Sequence, residues 1–508
     1  MIHPPPAASD AYGRPAAWGV GFVAALLPFI VLATLNSGGY RYGASDQAFY
    51  VPAVLDALDP ELFPRDTPLL AAQTRLTVVD DTIAAAARVT GAPLPAVFAV
   101  LYVGSLALFA WGAWRIGRHL YRLQWTALAL LAALTLRHAI ARSGTNTLEG
   151  YFQPRLLAYA LGALAIAAFL RRRLAAAAAA VLVAGALHPT TALWFALWLA
   201  TATAIAHPGL RRWLAAGAAA AGAAAVWAVL WGPLAGRLVP LDPEWRRMLE
   251  TKDYLFPLEW PAYAWILNLG YVPVILWLHR ARSRAGLADR HERALVAGVF
   301  VLLAVFAAAL VLHALDVALA FQLQPARIFW MFDFLAVIHV VWWLAEGRRR
   351  PVPALVRRQA ALAAILVTAL SVTRGAYVLY EAERPAVQLT IPDDDWGRAM
   401  RWARRTDKAS GWLADPLHAV RYGTSVRVAG ERDVFVEAVK DAALGMYDRT
   451  VAVRTDVRLR EVTAFDELTA GRARALAARY QLDYLVTEQP LDLPVAFSSG
   501  PLRIYRLK

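Results

Sequence analysis

The sequence predicts a mainly α fold: a polytopic transmembrane helical bundle of about eleven spans, followed by a small C-terminal extracytoplasmic α/β domain. Three observations carry this. Apolar runs of about 20 residues, long enough to cross a bilayer, recur as far as residue 380. Arginines gather in every second connector between those runs. From Glu381 onward the composition becomes that of a water-soluble domain, so the chain divides into a membrane domain over 1–380 and a soluble domain over 381–508.

Composition narrows the function classes. Of 508 residues 59% are hydrophobic and only 18% charged, against about 25% charged in ordinary soluble domains. A water-soluble enzyme is thereby excluded. The net charge of +14 does not point to nucleic acid, because the arginines sit in short connectors instead of lining one face. With no cysteine, disulfides, thiolate nucleophiles and Cys-ligated metals are excluded, while the compartment stays open. The stretch from Trp18 to Leu35 is long for the apolar part of a cleavable leader and no small-x-small motif ends it, so it reads as the first span.

The spans fall near 17–36, 95–114, 123–141, 155–170, 174–190, 190–207, 213–235, 258–279, 294–315, 326–345 and 359–379. The fifth and sixth meet at His188-Pro189, where proline breaks a continuous helix and calls for a tight turn. Basic connectors follow the even-numbered spans: Arg115, Arg118 and Arg122; Arg171, Arg172 and Arg173; Arg211 and Arg212. The eighth is followed by Arg280, Arg282, Arg284, Arg290 and Arg293, and the tenth by Arg348, Arg349, Arg350, Arg357 and Arg358. By the positive-inside rule the N-terminus is cytoplasmic and everything beyond Tyr380 lies outside.

The opposite connectors form outer loops: a long first one over 37–94, a second over 142–154, and a third over 236–257 that contains Trp245, Arg246, Arg247 and Lys252. Leu76 to Val89 predicts an amphipathic helix stopped by Gly91 and Pro93, of the kind that often lies along a membrane surface. In the soluble domain Asp393 or Asp394 is placed to cap a helix through Trp396, Met400 and Trp402. Short β-like stretches lie at Val434–Val436, Tyr484–Thr487 and Arg503–Tyr505. Alanine-rich spans at 174–180 and 214–225 permit close helix packing. No internal repeat is evident.

Asp46 stands about ten residues past the first span, in Tyr42-Gly43-Ala44-Ser45-Asp46-Gln47. There a carboxylate could act as a base on a substrate arriving from outside while a lipid-linked partner stays in the bilayer. An exposed helix cap is the alternative. Arg137, Arg142, Arg155 and Arg327 all fall at outer span ends, where converging guanidinium groups could hold a lipid pyrophosphate or could each reach separately to lipid headgroups. Asp333 lies about two turns deeper than Arg327 on a different face of the same span, so it should meet a residue of another span, as a functional carboxylate or a structural ion pair. His188 could bond a substrate or satisfy its turn. His313 and Asp316 lack the spacing of a metal motif, and Asp80-Asp81 and Asp393-Asp394-Asp395 read as helix starts. No Walker-type glycine loop and no Gly-x-Ser-x-Gly elbow occurs, which sets aside ATP-driven and serine-hydrolase chemistry.

A first span, a long outer loop with an early acidic residue, many further spans and an outer C-terminal domain together resemble the GT-C class of membrane glycosyltransferases. Ser45-Asp46-Gln47, the text from Asp59 to Asp66, His188-Pro189-Thr190 and the stretch from Trp396 to Trp402 are similar to bacterial multipass proteins of unassigned activity. The resemblance implies a bacterial cytoplasmic membrane location, a polyprenyl-phosphate-linked sugar donor, inverting transfer at the outer face to an unknown acceptor, and Asp46 as general base. The substrate-binding residues would be Arg142, Arg155, His188, Arg327 and Asp333. Three departures stand out: Gln47 follows Asp46 where mannosyltransferase members pair two carboxylates, Glu149 alone occupies the second outer loop where oligosaccharyltransferase members carry an acidic metal motif, and a Trp-Trp-Asp signature is absent. No cofactor or metal is therefore assigned. Two other classes remain open, a transporter or flippase for a lipid or polar solute, and a non-catalytic membrane scaffold that docks partners through the helix near residue 396.

Overall fold

A computed structural model describes residues 15–347 and 353–508; Arg348, Arg349 and Arg350 of the tenth connector lie outside the described residues. Every apolar run has a corresponding helix. The first is α1 (Pro15–Asn36), after which the outer loop supplies α2 (Gln47–Leu58) and α3 (Val79–Thr90). The bundle continues with α4 (Leu94–Leu120), α5 (Gln124–Leu134), α6 (Pro154–Leu170), α7 (Leu174–Leu187) and α8 (Pro189–Ala206). Then come α9 (Arg211–Leu230), α10 (Ala262–Arg284), α11 (Arg290–Val299) and α12 (Val301–Ala314), which run on from each other, α13 (Ile328–Glu346) and α14 (Pro353–Ala382).

Eight of these helical segments are long and apolar enough to cross a membrane, and α5, α6 and α7 are shorter at 11, 17 and 14 residues. The surface matches that solvent: Trp213, Val226, Trp227 and Leu230 of α9 are all more than half exposed, which water would penalise and hydrocarbon would not. The chain is a multi-pass helical membrane protein. The third run departs from expectation. Its helix stops at Leu134 instead of running to residue 141, because Arg137 takes a left-handed φ of +44°, a conformation that ends a helix. Residues 139–146 then turn back as a short antiparallel hairpin, β2 (Ala139–Ile140) against β3 (Thr145–Asn146).

Small residues let the inner helices approach. A Cβ on Gly112 of α4 would sit 2.9 Å from that of Ala163 on α6, closer than two methyl groups tolerate. Between α6 and α13, Tyr159 stacks on Trp330 with ring centroids 3.6 Å apart.

At one end of the bundle the first outer loop and the C-terminal domain form a joined cap. β1 (Tyr40–Arg41) pairs in parallel with β4 (Val387–Gln388), which lies just past α14. The domain carries a five-stranded mixed sheet of β5 (Gly411–Leu413), β6 (Asp433–Val434), β7 (Tyr484–Thr487), β8 (Val495–Ser499) and β9 (Leu502–Arg506) in the order β6-β5-β7-β9-β8. β5 and β8 escape sequence reading because one is three residues long and the other, Val-Ala-Phe-Ser-Ser, has no period-two pattern. α15 (Asp395–Ala403) starts as expected: the Asp394 carboxylate accepts the Gly397 N–H at 2.7 Å. Trp396 is 2% exposed and stacks on Tyr422 at 4.5 Å. Trp396 is core and offers no docking face, while Trp402 of the same helix is partly exposed. In α3, the apolar side, Val79, Ile83, Ala84 and Ala87, is buried within the protein instead of being left for a lipid surface.

Candidate functional site

The turn before α2 sets the position of Asp46. Gly43 has φ +79°, a region side chains avoid, and a Cβ there would meet Val428 Cγ1 at 2.7 Å. The Gly43 N–H donates to Gln47 Oε1 at 2.6 Å, and Gln47 Nε2 donates to the Phe152 carbonyl at 3.1 Å, fixing the first outer loop on the second. Asp46 occupies the N-cap position of α2 yet makes no capping bond. Its carboxylate instead meets Lys440 Nζ at 2.6 Å, and the same ammonium lies 3.2 Å from Ser45 Oγ. Lys440 belongs to α16 (Ala438–Leu444) of the C-terminal domain, 394 residues away in sequence. The capping reading of Asp46 is thus replaced by a trans-domain ion pair.

Asp46 opens onto a cavity of about 330 Å³ lined by the loops over 37–94, 142–154 and 236–257 and by the C-terminal domain. Its walls hold five cationic side chains, Arg137, Arg155, Arg327, Lys252 and Lys440, against two carboxylates, Asp46 and Glu149. Pro154 and Arg155 form the first turn of α6, which buries Arg155 to 5% exposure. Arg155 contacts Glu149 only at 3.9 Å and the Gly144 carbonyl at 3.4 Å, leaving its Nε without a partner. Arg137 reaches the other Glu149 oxygen at 3.5 Å, while Asn146 Nδ2 donates to the first at 2.8 Å. Arg327, at the entry to α13, has a buried Nε with no hydrogen-bond partner, and no ion pair to it is formed among the described residues. Guanidinium donors left unsatisfied in a buried site are unstable without an anion, and a phosphate supplies paired acceptors for them.

His188 serves two roles. Its Nδ1 accepts the Thr191 N–H at 3.3 Å, capping α8, which leaves the imidazole proton on Nε2 while the ring lines the cavity. The turn at His188-Pro189 and the cavity wall are therefore one feature.

Two expected residues are elsewhere. Arg142, at φ +49° in the β2–β3 turn, ion-pairs with Asp253 of the loop over 236–257 and donates to Tyr263 Oη of α10 at 3.0 Å. It does not line the cavity. Asp333 is expected to meet a residue of another span; its partner is His138 Nδ1 at 2.9 Å, which lies past the end of α5 in the segment leading to β2, and Asp333 does not line the cavity. Lys252, read from the sequence only as a member of the loop over 236–257, also faces the cavity, as do Lys440, Tyr254 and Tyr447, which were not singled out because nothing local marks which of many polar residues a loop or domain turns inward.

Burial alone would raise the Asp46 carboxyl, but Lys440, Arg155 and Arg327 outweigh it and hold the group below the ordinary carboxylate range. Burial, and then Lys440, lowers the Lys252 ammonium. The sign for Asp46 follows directly. Its ionised form is favoured down to lower pH than in the free residue, and removing a neighbouring cation raises its pKa. Lys440→Met should therefore move the acid limb of any Asp46-dependent activity to higher pH, measured as a rate profile from pH 4 to 8; an unmoved limb separates the activity from Asp46.

Fold and site together define a multi-pass helical membrane protein with a cation-rich polar cavity between its bundle and its C-terminal domain. No family model matches the chain, and no curated protein matches it in sequence. Among solved structures, the apo oligosaccharyltransferase of Archaeoglobus fulgidus is similar at 12% identity and a TM-score of 0.48, over 94% of this chain and 70% of that one. The Archaeoglobus fulgidus AglB oligosaccharyltransferase in complex with an inhibitory peptide and a dolichol-phosphate is similar at 11% identity and a TM-score of 0.48, over 92% and 69%.

Proposed function

We propose that the protein is an integral membrane glycosyltransferase that uses a polyprenyl-phosphate-linked sugar at the outer face of a bacterial cytoplasmic membrane, with its N-terminus in the cytoplasm. The observation that carries this reading is a carboxylate, Asp46, set in a cavity whose remaining charge is mainly cationic. The alternation of basic connectors supports the outer placement. In the transfer, an acceptor hydroxyl attacks the anomeric carbon from the face opposite the phosphate and the sugar carbon to phosphate-oxygen bond breaks. The hydroxyl proton passes to Asp46, and the phosphate leaves with the bonding electron pair toward Arg155 and Arg327. Lys440 bonds one Asp46 oxygen, Oδ1, in this structure, which leaves lone pairs on the carboxylate to accept the entering hydroxyl. The deep carboxylate that would favour a transporter, Asp333, is taken up by His138.

Binding tests the anion half of this reading without chemistry. A polyprenyl monophosphate in detergent should raise the melting temperature of the purified chain, and Arg327→Gln should weaken its apparent affinity about tenfold or more, the size of one lost charged hydrogen bond. Equal stabilisation by the unphosphorylated alcohol would remove the phosphate from the assignment.

A further inference from the structure

At the opposite end of the bundle three side chains from three helices converge: His279 of α10, Glu292 of α11 and His339 of α13. His339 lies twelve residues beyond Arg327, about 18 Å along its helix, so this cluster is separate from the Asp46 cavity. One ligand atom from each residue fits within a 4.8 Å group. His339 and Glu292 are 1% and 2% exposed, and the His279 side chain 14%.

The proton positions make the cluster unusual. His339 Nδ1 stands 2.9 Å from the Leu335 carbonyl and must donate to it, so in the neutral ring Nε2 carries a lone pair. That nitrogen and His279 Nδ1 are both buried without a hydrogen-bond partner. Each lies 3.7 Å from Glu292 Oε1, itself an acceptor, which is too far for a hydrogen bond. The His339 Nε2 lone pair and the Glu292 carboxylate are acceptors directed at one point in a dry interior, with His279 Nδ1 opening on the same point, and they repel one another unless a cation or a proton lies between them.

We infer that His279, Glu292 and His339 form a divalent transition-metal site of the zinc class. Bonds of about 2.0–2.1 Å place tetrahedral ligands about 3.4 Å apart, against 3.7 Å from Glu292 Oε1 to each imidazole and at most 4.8 Å across the group, so the three side chains close in slightly on the ion. Two imidazoles and a carboxylate suit zinc(II), and the outer contacts are those a ligand set needs. The Leu335 carbonyl orients one imidazole, and Ser283 Oγ lies 3.4 Å from Nε2 of the other. Arg282 holds the carboxylate through Nε at 2.6 Å and Nη2 at 3.1 Å, leaving Oε1 with a further lone pair toward the histidines. The Arg282 guanidinium is itself seated over the Trp342 ring at 5.0 Å. Bound metal would pin α10, α11 and α13 together, a structural role independent of transfer.

The test uses the full chain without a polyhistidine tag, purified in detergent and dialysed against zinc with a weak competing chelator. Elemental analysis should find about one zinc per chain, and His279→Gln/His339→Gln should lose it while eluting as the same monodisperse species. His207→Ala controls for the other histidine pair, whose Nε2 atoms lie 3.0 Å apart, and should keep the ion. Chelation should lower the melting temperature of the wild type and zinc should restore it. A folded wild type that binds no zinc, which is the result if an imidazolium and not a metal bridges to Glu292, overturns the site; so does a double variant that retains it.

Discussion

Asp46→Asn should lower sugar transfer by about 10²–10⁴-fold, the contribution of a positioned general base, while the variant reaches the membrane in normal amount. The substitution is nearly isosteric, and Asn can still accept a hydrogen bond from Lys440. Because Asp46 makes no capping bond to α2, the helix loses nothing on that account. The pair is partly buried, with side-chain exposures of 16% for Lys440 and 25% for Asp46, and the amide oxygen keeps the hydrogen bond of the ammonium, which limits the stability lost. Rate and fold are thus separable at this position. Proteoliposomes supplied with a polyprenyl-phosphate-linked sugar and a soluble acceptor give the rate, and thermal unfolding gives the fold. Unchanged turnover in a folded variant removes Asp46 from the chemistry. A folded variant that has lost transfer but still binds polyprenyl monophosphate assigns the carboxylate to the chemical step and the arginines to binding.

What could be read in the sequence was whatever a local physical rule governs. Hydrophobic length located a helix for every run, and span ends placed Arg155 and Arg327 near Asp46, because an arginine in hydrocarbon has to face a polar cavity or the interface. The rule has no angular content, and that is where it failed. Arg142 satisfies it as well as Arg155 does, yet the left-handed turn at the tip of the β2–β3 hairpin sends it to Asp253. Arg137 faces the cavity because α5 ends early, at a backbone reversal that hydropathy does not register. Lys440 is the clearest loss. Its pairing with Asp46 depends on the docking of a whole domain, so no window of sequence contains both partners. The His279, Glu292 and His339 cluster escaped for the same reason, since its members sit on three helices at no motif spacing.

That docking rests on a buried ionic knot, and Arg427→Met should cost about 3–5 kcal/mol of stability, the penalty for stranding buried charge. Arg427 is 1% exposed and bonds Asp66 of the first outer loop through Nε at 2.7 Å. Its two terminal nitrogens bond the Asp441 carboxylate of α16 at 2.6 and 3.0 Å. Arg454 also pairs with Asp66, and the Asp433 carboxylate accepts the Arg65 and Asp66 N–H groups at 3.0 and 3.1 Å. Burial raises the Asp66 carboxyl, but Arg427 and Arg454 overcome this and hold it well below the usual carboxylate range. The stability it contributes is therefore complete at neutral pH and is lost only as pH falls far into acid. Methionine fills much of the volume but leaves two carboxylates facing each other without their shared cation. Arg427→Lys should fall between, since one ammonium cannot reproduce the paired fork. Asp66→Asn/Arg427→Met/Asp441→Asn should recover part of the loss, because a neutral cluster carries less desolvation cost than a broken one. Thermal unfolding in detergent and protease cleavage of the outer domain read these differences, and a triple variant no more stable than Arg427→Met would show that geometry and not charge holds the knot. Asp441 is next to Lys440 in α16, so loosening the knot also releases the lysine that covers Asp46; in Arg427→Met the acid limb of transfer should move to higher pH, as in Lys440→Met, even though Arg427 does not line the cavity.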